Sequence, residues 1–393
     1  MTPPALPARW AATDLPTYTH ILMSPWKAAR PGDPFDAIDT PALVLDLDAF
    51  ERNLNRMADA LRGHPVRLRP HGKSHKCPEI ALRQVALGAV GICCQKVSEA
   101  AVFVEAGIRD VLVTNQVVGS AKLRRLAGLA HGARIGVLVD DPLQVQALAE
   151  AARAQSASID VYVEVDVGGG RCGVAPGPAA AQLARQIADL PPLRFAGLQC
   201  YHGPAQHRRT PDERARAIGA AVDAAAMSRR LIEADGLQVE RITGAGTGSF
   251  LLERDSGVFN EIQAGSYIFM DRDYADNQRG PGDLAFEHAL FVRSAVLSRT
   301  EPTRAVIDAG LKASSVDSGM PVVWQRPELR FVKAADDHGV LEVAAGADLA
   351  LGEVVMLVPG HCDPTVNLYD DIVCIRGGYV EALWPIAARG ALL

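Results

Sequence analysis

Arg134-Ile135-Gly136-Val137-Leu138-Val139, then the periodic run 142–154, then Ile159-Asp160-Val161-Tyr162-Val163-Glu164-Val165, is the stretch that decides the fold. The first and last segments are short apolar runs of strand type. The middle one repeats its apolar residues with a 3.6-residue period. A strand, a helical crossover and a second strand make a parallel pair in one sheet.

Working outward, the same alternation continues in both directions. Strands are expected at 66–69, 90–94, 110–114, 134–139, 159–165, 194–200, 239–243 and 261–270. Helical patterns at 49–62, 98–106, 121–130, 142–154, 179–189 and 211–234 lie among them. Eight strands with crossovers of this length predict an α/β fold, a (β/α)8 TIM-type barrel. A doubly wound open sheet is the weaker alternative, because no Gly-x-Gly-x-x-Gly follows the first strands. From about Gly280 the pattern changes to short β-type runs separated by turn residues, which predicts a C-terminal all-β domain. The division expected is a tail at 1–38, a barrel at 39–280 and a β-domain at 281–393. The isolated strand near 42–47 is free to join the β-domain.

Composition excludes several classes of function. The formal net charge of −6 offers no basic surface for nucleic acid or an anionic membrane. No apolar run approaches the roughly 18 residues that span a bilayer. The proline-rich N-terminus lacks the basic-then-apolar pattern of a secretion signal and reads as a tail. Seven cysteines, an odd number without a Cys-x-x-Cys pair, predict buried thiols in a reducing cytoplasm.

In a barrel, catalytic groups sit at the C-terminal ends of strands. The first strand runs into Arg69-Pro70-His71-Gly72-Lys73-Ser74-His75-Lys76. If this run is extended, Arg69, His71, Lys73 and His75 share one side. Neighbouring positive charges push a lysine toward its neutral form, the form that adds to a carbonyl such as that of pyridoxal phosphate. A basic, solvated loop is the competing reading. Other strand ends carry Gln95, Arg171, Tyr201 and His202. Arg171 follows a glycine run that can bring a guanidinium close to a ring; an ordinary surface arginine is its rival. Tyr201 offers a stacking face or a core ring. The seventh strand ends in Gly244-Ala245-Gly246-Thr247-Gly248-Ser249. Amides of Gly246, Thr247 and Gly248, the Thr247 hydroxyl, and Gly265 with Ser266 after the eighth strand suit a phosphate. Near the C-terminus stands Pro359-Gly360-His361-Cys362-Asp363-Pro364. In an extended segment His361 and Asp363 point one way and Cys362 the other, which suits Mn2+, Mg2+ or Fe2+.

With these residues assembled, the sequence resembles the D-threonine aldolase and D-serine dehydratase family, pyridoxal-phosphate enzymes of the alanine-racemase fold. The match runs from about Asp39 to Arg389. It is carried by the segments around Thr40-Pro41, Lys73, Cys94-Gln95, Glu164-Val165-Asp166, the 244–249 glycine loop and His361-Cys362-Asp363. The resemblance implies that Lys73 is the Schiff-base lysine, that His361 and Asp363 bind a divalent metal, and that Arg171 and Gln263 contact the cofactor. Dehydratases of the family resemble a His-x-Cys zinc site and aldolases a His-x-Asp site, so Asp363 points to an aldolase.

The function expected is cleavage of a β-hydroxy D-α-amino acid, D-threonine or D-3-hydroxyaspartate, to glycine and an aldehyde. Lys73 is the expected cofactor anchor, His202 or a metal-bound hydroxide the candidate base, and the assembly a homodimer. A dehydratase of the same substrates is the nearest rival. A non-catalytic pyridoxal-phosphate carrier is a second, against which the C-terminal third argues.

Overall fold

The computed structural model describes residues 27–393, so residues 1–26 of the expected tail lie outside the described residues. The barrel strands are β2 (Arg67–Leu68), β3 (Ile92–Cys94), β4 (Asp110–Gln116), β5 (Arg134–Val139), β6 (Ile159–Glu164), β7 (Leu193–Cys200), β8 (Arg241–Gly244) and β9 (Glu261–Ile262), preceded by β1 (Ala42–Asp46). All eight run parallel in the order β2-β9-β8-β7-β6-β5-β4-β3. The ring closes where His71 bridges Cys93 and Val90 N–H donates to Leu68 O at 2.9 Å. Helices α1 (Leu47–Leu61), α2 (Pro78–Ala86), α3 (Val97–Glu105), α4 (Ser120–Leu129), α5 (Pro142–Ala154), α6 (Pro178–Ala188) and α7 (Pro211–Ala234) surround it.

Local chemistry starts these helices where the sequence places them. The Asp46 carboxylate accepts from Asp48 N and Ala49 N at the start of α1. Asp141 caps α5 ahead of Pro142, whose missing N–H costs nothing in a first turn. Thr210 and Glu213 form a reciprocal capping box on α7. Apolar helix faces then pack on the outward side chains of the strands, giving a continuous layer that includes Val111, Val137, Val161, Leu148 and Ile187.

Inside the barrel a small apolar plug of Cys93, Leu112, Leu138, Tyr162 and Ala196 is buried. Arg69 also lies inside, 1% exposed, with Nε 2.9 Å from Glu261 and Nη1 2.7 Å from Asp110. Burial opposes its charge, but the two carboxylates outweigh that and hold it firmly protonated. Asp110, Arg241 and Glu261 begin their strands, so this charged cluster seals the N-terminal end. Arg69 is therefore structural. His75 is also core: Cys77 N–H donates to its Nδ1 at 3.0 Å, and burial lowers its pKa to about 4.

The single-sided row expected for Arg69, His71, Lys73 and His75 does not form. Residues Gly72–Ser74 make a 3-10 turn, begun by the His71 side chain accepting from Lys73 N. Segment 261–270 likewise gives only the two strand residues of β9. A second 3-10 turn follows at Ser266–Ile268, after a bend at Gly265.

The remaining strands are β10 (Leu290–Glu301), β11 (Arg304–Ile307), β12 (Val322–Val323), β13 (Leu329–Ala334), β14 (Gly339–Val343), β15 (Val354–Val358), β16 (Asp371–Arg376) and β17 (Tyr379–Pro385). They form a sheet in the order β13-β14-β11-β10-β1-β16-β17, with β15 beside β10 and β12 beside β15. Strand β1 pairs antiparallel with β10 and parallel with β16, so the chain enters through the β-domain before it builds the barrel. Short helices α8 (Phe250–Arg254), α9 (Arg272–Ala275) and α10 (Cys362–Val366) complete the structure. None of the described helices is long and apolar enough to cross a membrane.

Candidate active site

The C-terminal ends of the barrel strands surround a cavity of about 260 Å³. Lys73, Gln95, Arg171, Tyr201 and Gln263 line it, as do Gly246, Thr247, Gly265 and Ser266. Six separate loops thus deliver the residues that the sequence singles out one by one. Helix α10 of the β-domain closes on the turn that carries Lys73, and Lys73 Nζ lies 2.8 Å from Asp363 Oδ2.

That contact reverses one expectation. The Asp363 carboxylate raises the Lys73 pKa well above its ordinary value, against the opposing effects of burial and of Arg171. The neutral lysine expected from its sequence neighbours gives way to an ammonium with a half-buried counter-ion. Of its basic neighbours in sequence, Arg69 pairs with Glu261 and Asp110, Lys76 pairs with Glu99, and burial holds His71 and His75 toward their neutral forms. The carboxylate beside Lys73 instead comes from 290 residues further along the chain.

The loop after β8 presents donors without protein partners to the cavity. Among the described residues, the N–H groups of Gly246, Thr247, Gly265 and Ser266 donate to no protein acceptor, and the buried Thr247 hydroxyl has no partner. Four free amides and a hydroxyl converging from two loops fit a phosphate. Gly248 N–H, by contrast, donates to Gln206 Oε1 at 3.0 Å. The amine of Lys73, the Tyr201 ring and the Arg171 guanidinium, 5.7 Å from that ring's centroid, complete a set that fits pyridoxal phosphate.

His361 and Asp363 offer one nitrogen and one oxygen toward a cation. Asp317 Oδ2 lies 2.8 Å from His361 Nδ1, so Nε2 is the nitrogen open to a cation, and Asp363 Oδ1 is buried without a partner. A buried orphan carboxylate oxygen beside an oriented imidazole fits a hard divalent ion. Cys362 is fully buried and burial drives its thiol pKa far up, so its sulfur is a poor partner for His361 in a cation site. The segment is not extended, however. His361 is, but Cys362 begins α10, with Pro364 in its first turn, where proline's missing N–H is tolerated.

Of the two histidines after β7, the expected base His202 does not line the cavity. Its Nδ1 accepts from Ala205 N at 3.2 Å, and its Nε2 stands against the Gly168 backbone. His207 lines the cavity instead, with Nδ1 2.6 Å from Asp273 Oδ2. The 3-10 turn Gly203–His207 exchanges the two, and the proline and glycine in it are the signal that sequence reasoning passed over. Tyr274, Gln199, Thr114 and Asp317 were missed as well. Gln199 faces Gln263 in a reciprocal amide pair at 2.9 and 2.8 Å. Asp140, Glu164 and Cys172 bring potential ligand atoms within 4.8 Å of one another. Asp140 accepts from Gly173 N–H at 2.9 Å and Glu164 meets Arg171 at 3.4 Å, so the group braces the Arg171 loop.

Residues 45–273 match the alanine racemase N-terminal domain family, and residues 289–375 match a serine dehydratase domain. The chain is 51% identical to a D-threonine aldolase of Arthrobacter sp. over 92% of this chain and 96% of that protein. It is 45% identical to a 3-hydroxy-D-aspartate aldolase of Paracoccus denitrificans over 92% and 95%. A D-threo-3-hydroxyaspartate dehydratase of Delftia sp. is more distant, 29% identical over 90% and 96%. The crystal structure of D-threonine aldolase from Filomicrobium marinum superimposes with a TM-score of 0.92 at 52% identity, covering 93% of this chain and all of that one. With its barrel, its β-domain and these relatives, the chain belongs to the alanine-racemase-fold family of D-threonine and 3-hydroxy-D-aspartate aldolases.

Proposed function

We propose that the protein is a pyridoxal-phosphate- and divalent-metal-dependent aldolase that splits β-hydroxy D-α-amino acids into glycine and an aldehyde. The observation that carries the metal-assisted reading is the 2.8 Å contact between Lys73 Nζ and Asp363 Oδ2. It sets the proposed cofactor lysine of the barrel against the proposed metal carboxylate of the β-domain. When bound, pyridoxal phosphate supplies an electron sink for the Cα–Cβ bond and the metal a Lewis acid for the β-hydroxyl.

The chain's own residues divide the remaining work. Lys73 anchors the cofactor, Tyr201 supports its ring, and Arg171 presents a permanent charge to its edge. Amides of Gly246, Thr247, Gly265 and Ser266 hold the phosphate. His361 Nε2 and Asp363 hold the cation, with Asp317 fixing the imidazole orientation. His207, its Nδ1–H given to Asp273, turns Nε2 toward the cavity and takes the β-hydroxyl proton, in the place first expected for His202. The carbon left behind gains one proton to become glycine, so the atoms balance as amino acid to glycine plus aldehyde.

The same proposal covers the division into barrel and β-domain near residue 280, a homodimer, and a reducing cytoplasm, the last supported by seven free cysteines. Purified enzyme supplied with pyridoxal phosphate and Mn2+ should release glycine from D-threonine or D-3-hydroxyaspartate in step with the aldehyde. Ammonia and a keto acid in their place would establish a dehydratase.

A further inference from the structure

Gln206 is fully buried between the loops after β7 and β8, and the chemistry above gives it no task. A buried amide is costly unless its hydrogen bonds are made. Gln206 Nε2 donates to Ser249 Oγ at 2.7 Å, and its Oε1 accepts from Gly248 N–H at 3.0 Å. Its backbone oxygen accepts from Asn277 Nδ2 at 2.8 Å, which fixes where the side chain starts. A Cβ on Gly246 would stand 2.6 Å from Gln206 Oε1, so the amide fills the floor beneath the glycine loop.

The bonds run in one direction only. Gly248 N–H can only donate, so the oxygen end of Gln206 must face it. Ser249 Oγ donates to Glu253 Oε1 at 2.9 Å, which leaves its lone pair for the Gln206 NH2. Glu253 is buried and its other oxygen has no partner. The sequence Glu253, Ser249, Gln206, Gly248 is therefore an ordered chain of acceptors and donors beneath the loop. Its effect is to hold Gly248 N–H away from the cavity while the amides of Gly246 and Thr247 and the Thr247 hydroxyl stay free.

We infer that Gln206 is a positioning residue for the cofactor phosphate, and that Glu253, acting through Ser249, sets which end of the Gln206 amide faces the loop. This rests on the placement of the phosphate given above. The inference goes beyond the family's reaction, because it assigns the shape of the phosphate seat to a side chain that never touches the phosphate.

The test compares pyridoxal phosphate with pyridoxal, the same ring without the phosphate, by equilibrium dialysis against full-length apoenzyme. Gln206→Leu keeps the volume and removes both bonds. It should weaken pyridoxal phosphate about tenfold, about 1.4 kcal/mol, and leave pyridoxal affinity unchanged. Ser249→Ala should give a smaller loss with the same selectivity, and it carries the test alone if Gln206→Leu does not fold. Equal weakening of both ligands, or no weakening of either, would overturn the role of Gln206 while the phosphate placement stands. Wild-type apoenzyme that binds both ligands equally well would overturn the placement itself, and this role with it.

Discussion

Lys73 and Asp363 show how a site depends on single residues that the chain keeps far apart. Replacing Lys73 with Ala should abolish the visible absorption of bound cofactor and reduce turnover to background, as measured by spectrum and glycine release. Asp363→Ala should keep that absorption but lose metal by elemental analysis. Its kcat should fall at least ~10³-fold, the several kcal/mol that a Lewis acid contributes. Retained metal at full stoichiometry would remove Asp363 from the ligand set. The lysine turn, the glycine loop and the His-x-Asp pair stand out in the sequence as candidates because each gathers its polar groups in a few adjacent residues. The charge state of Lys73 was not, because its partner is an Asp from the other domain. Which of His202 and His207 lines the cavity was equally out of reach. Both follow the same strand, and only the turn at Gly203–His207 decides which ring enters the cavity.

At the scale of elements, α5 at Pro142–Ala154 and α7 at Pro211–Ala234 fall where periodicity puts them, because strong caps and long amphipathic faces agree. Short segments are different: β9 keeps two residues and α10 replaces an extended run, since tertiary packing outweighs local pattern over so few residues. The loop between β8 and α8 gives two predictions. Gly246→Ala must displace the buried Gln206 amide, so chemical denaturation should show a loss of about 1–3 kcal/mol, with weaker cofactor binding beside it. Glu253 gives the second. Burial raises its pKa to about 7 from an ordinary value of 4.5. Between those two values the unfolded chain has lost the proton that the folded chain still holds. The group therefore costs stability progressively as pH rises from about 4.5 to 7, and the cost stays constant above that. Glu253→Gln removes this term and can still accept from Ser249. Urea unfolding should find the variant more stable than wild type by about 1–3 kcal/mol at pH 8 and equal to it near pH 4.5. Equal stabilities at both pH values would show that Glu253 ionises normally.

Across the whole molecule, one domain packs against the other at the candidate site. Strand β1 threads the β-domain before the barrel begins, and α10 then lays Asp363 against the turn that carries Lys73. The alternation of strands and helices made the barrel readable, and the change of pattern near Gly280 made the β-domain readable. Their mutual placement was not, because it depends on pairings such as Leu45 with Leu290 that join distant segments. Cofactor and divalent metal are proposed to act together where Lys73 meets Asp363. Enzyme loaded with pyridoxal phosphate should be dialysed against excess chelator and then titrated with Mn2+, while visible absorption and glycine release from D-threonine are followed together. Turnover should fall to background with the cofactor absorption retained, and return as one Mn2+ binds per chain. Full glycine release in excess chelator, from protein in which elemental analysis finds no metal, would contradict that joint action.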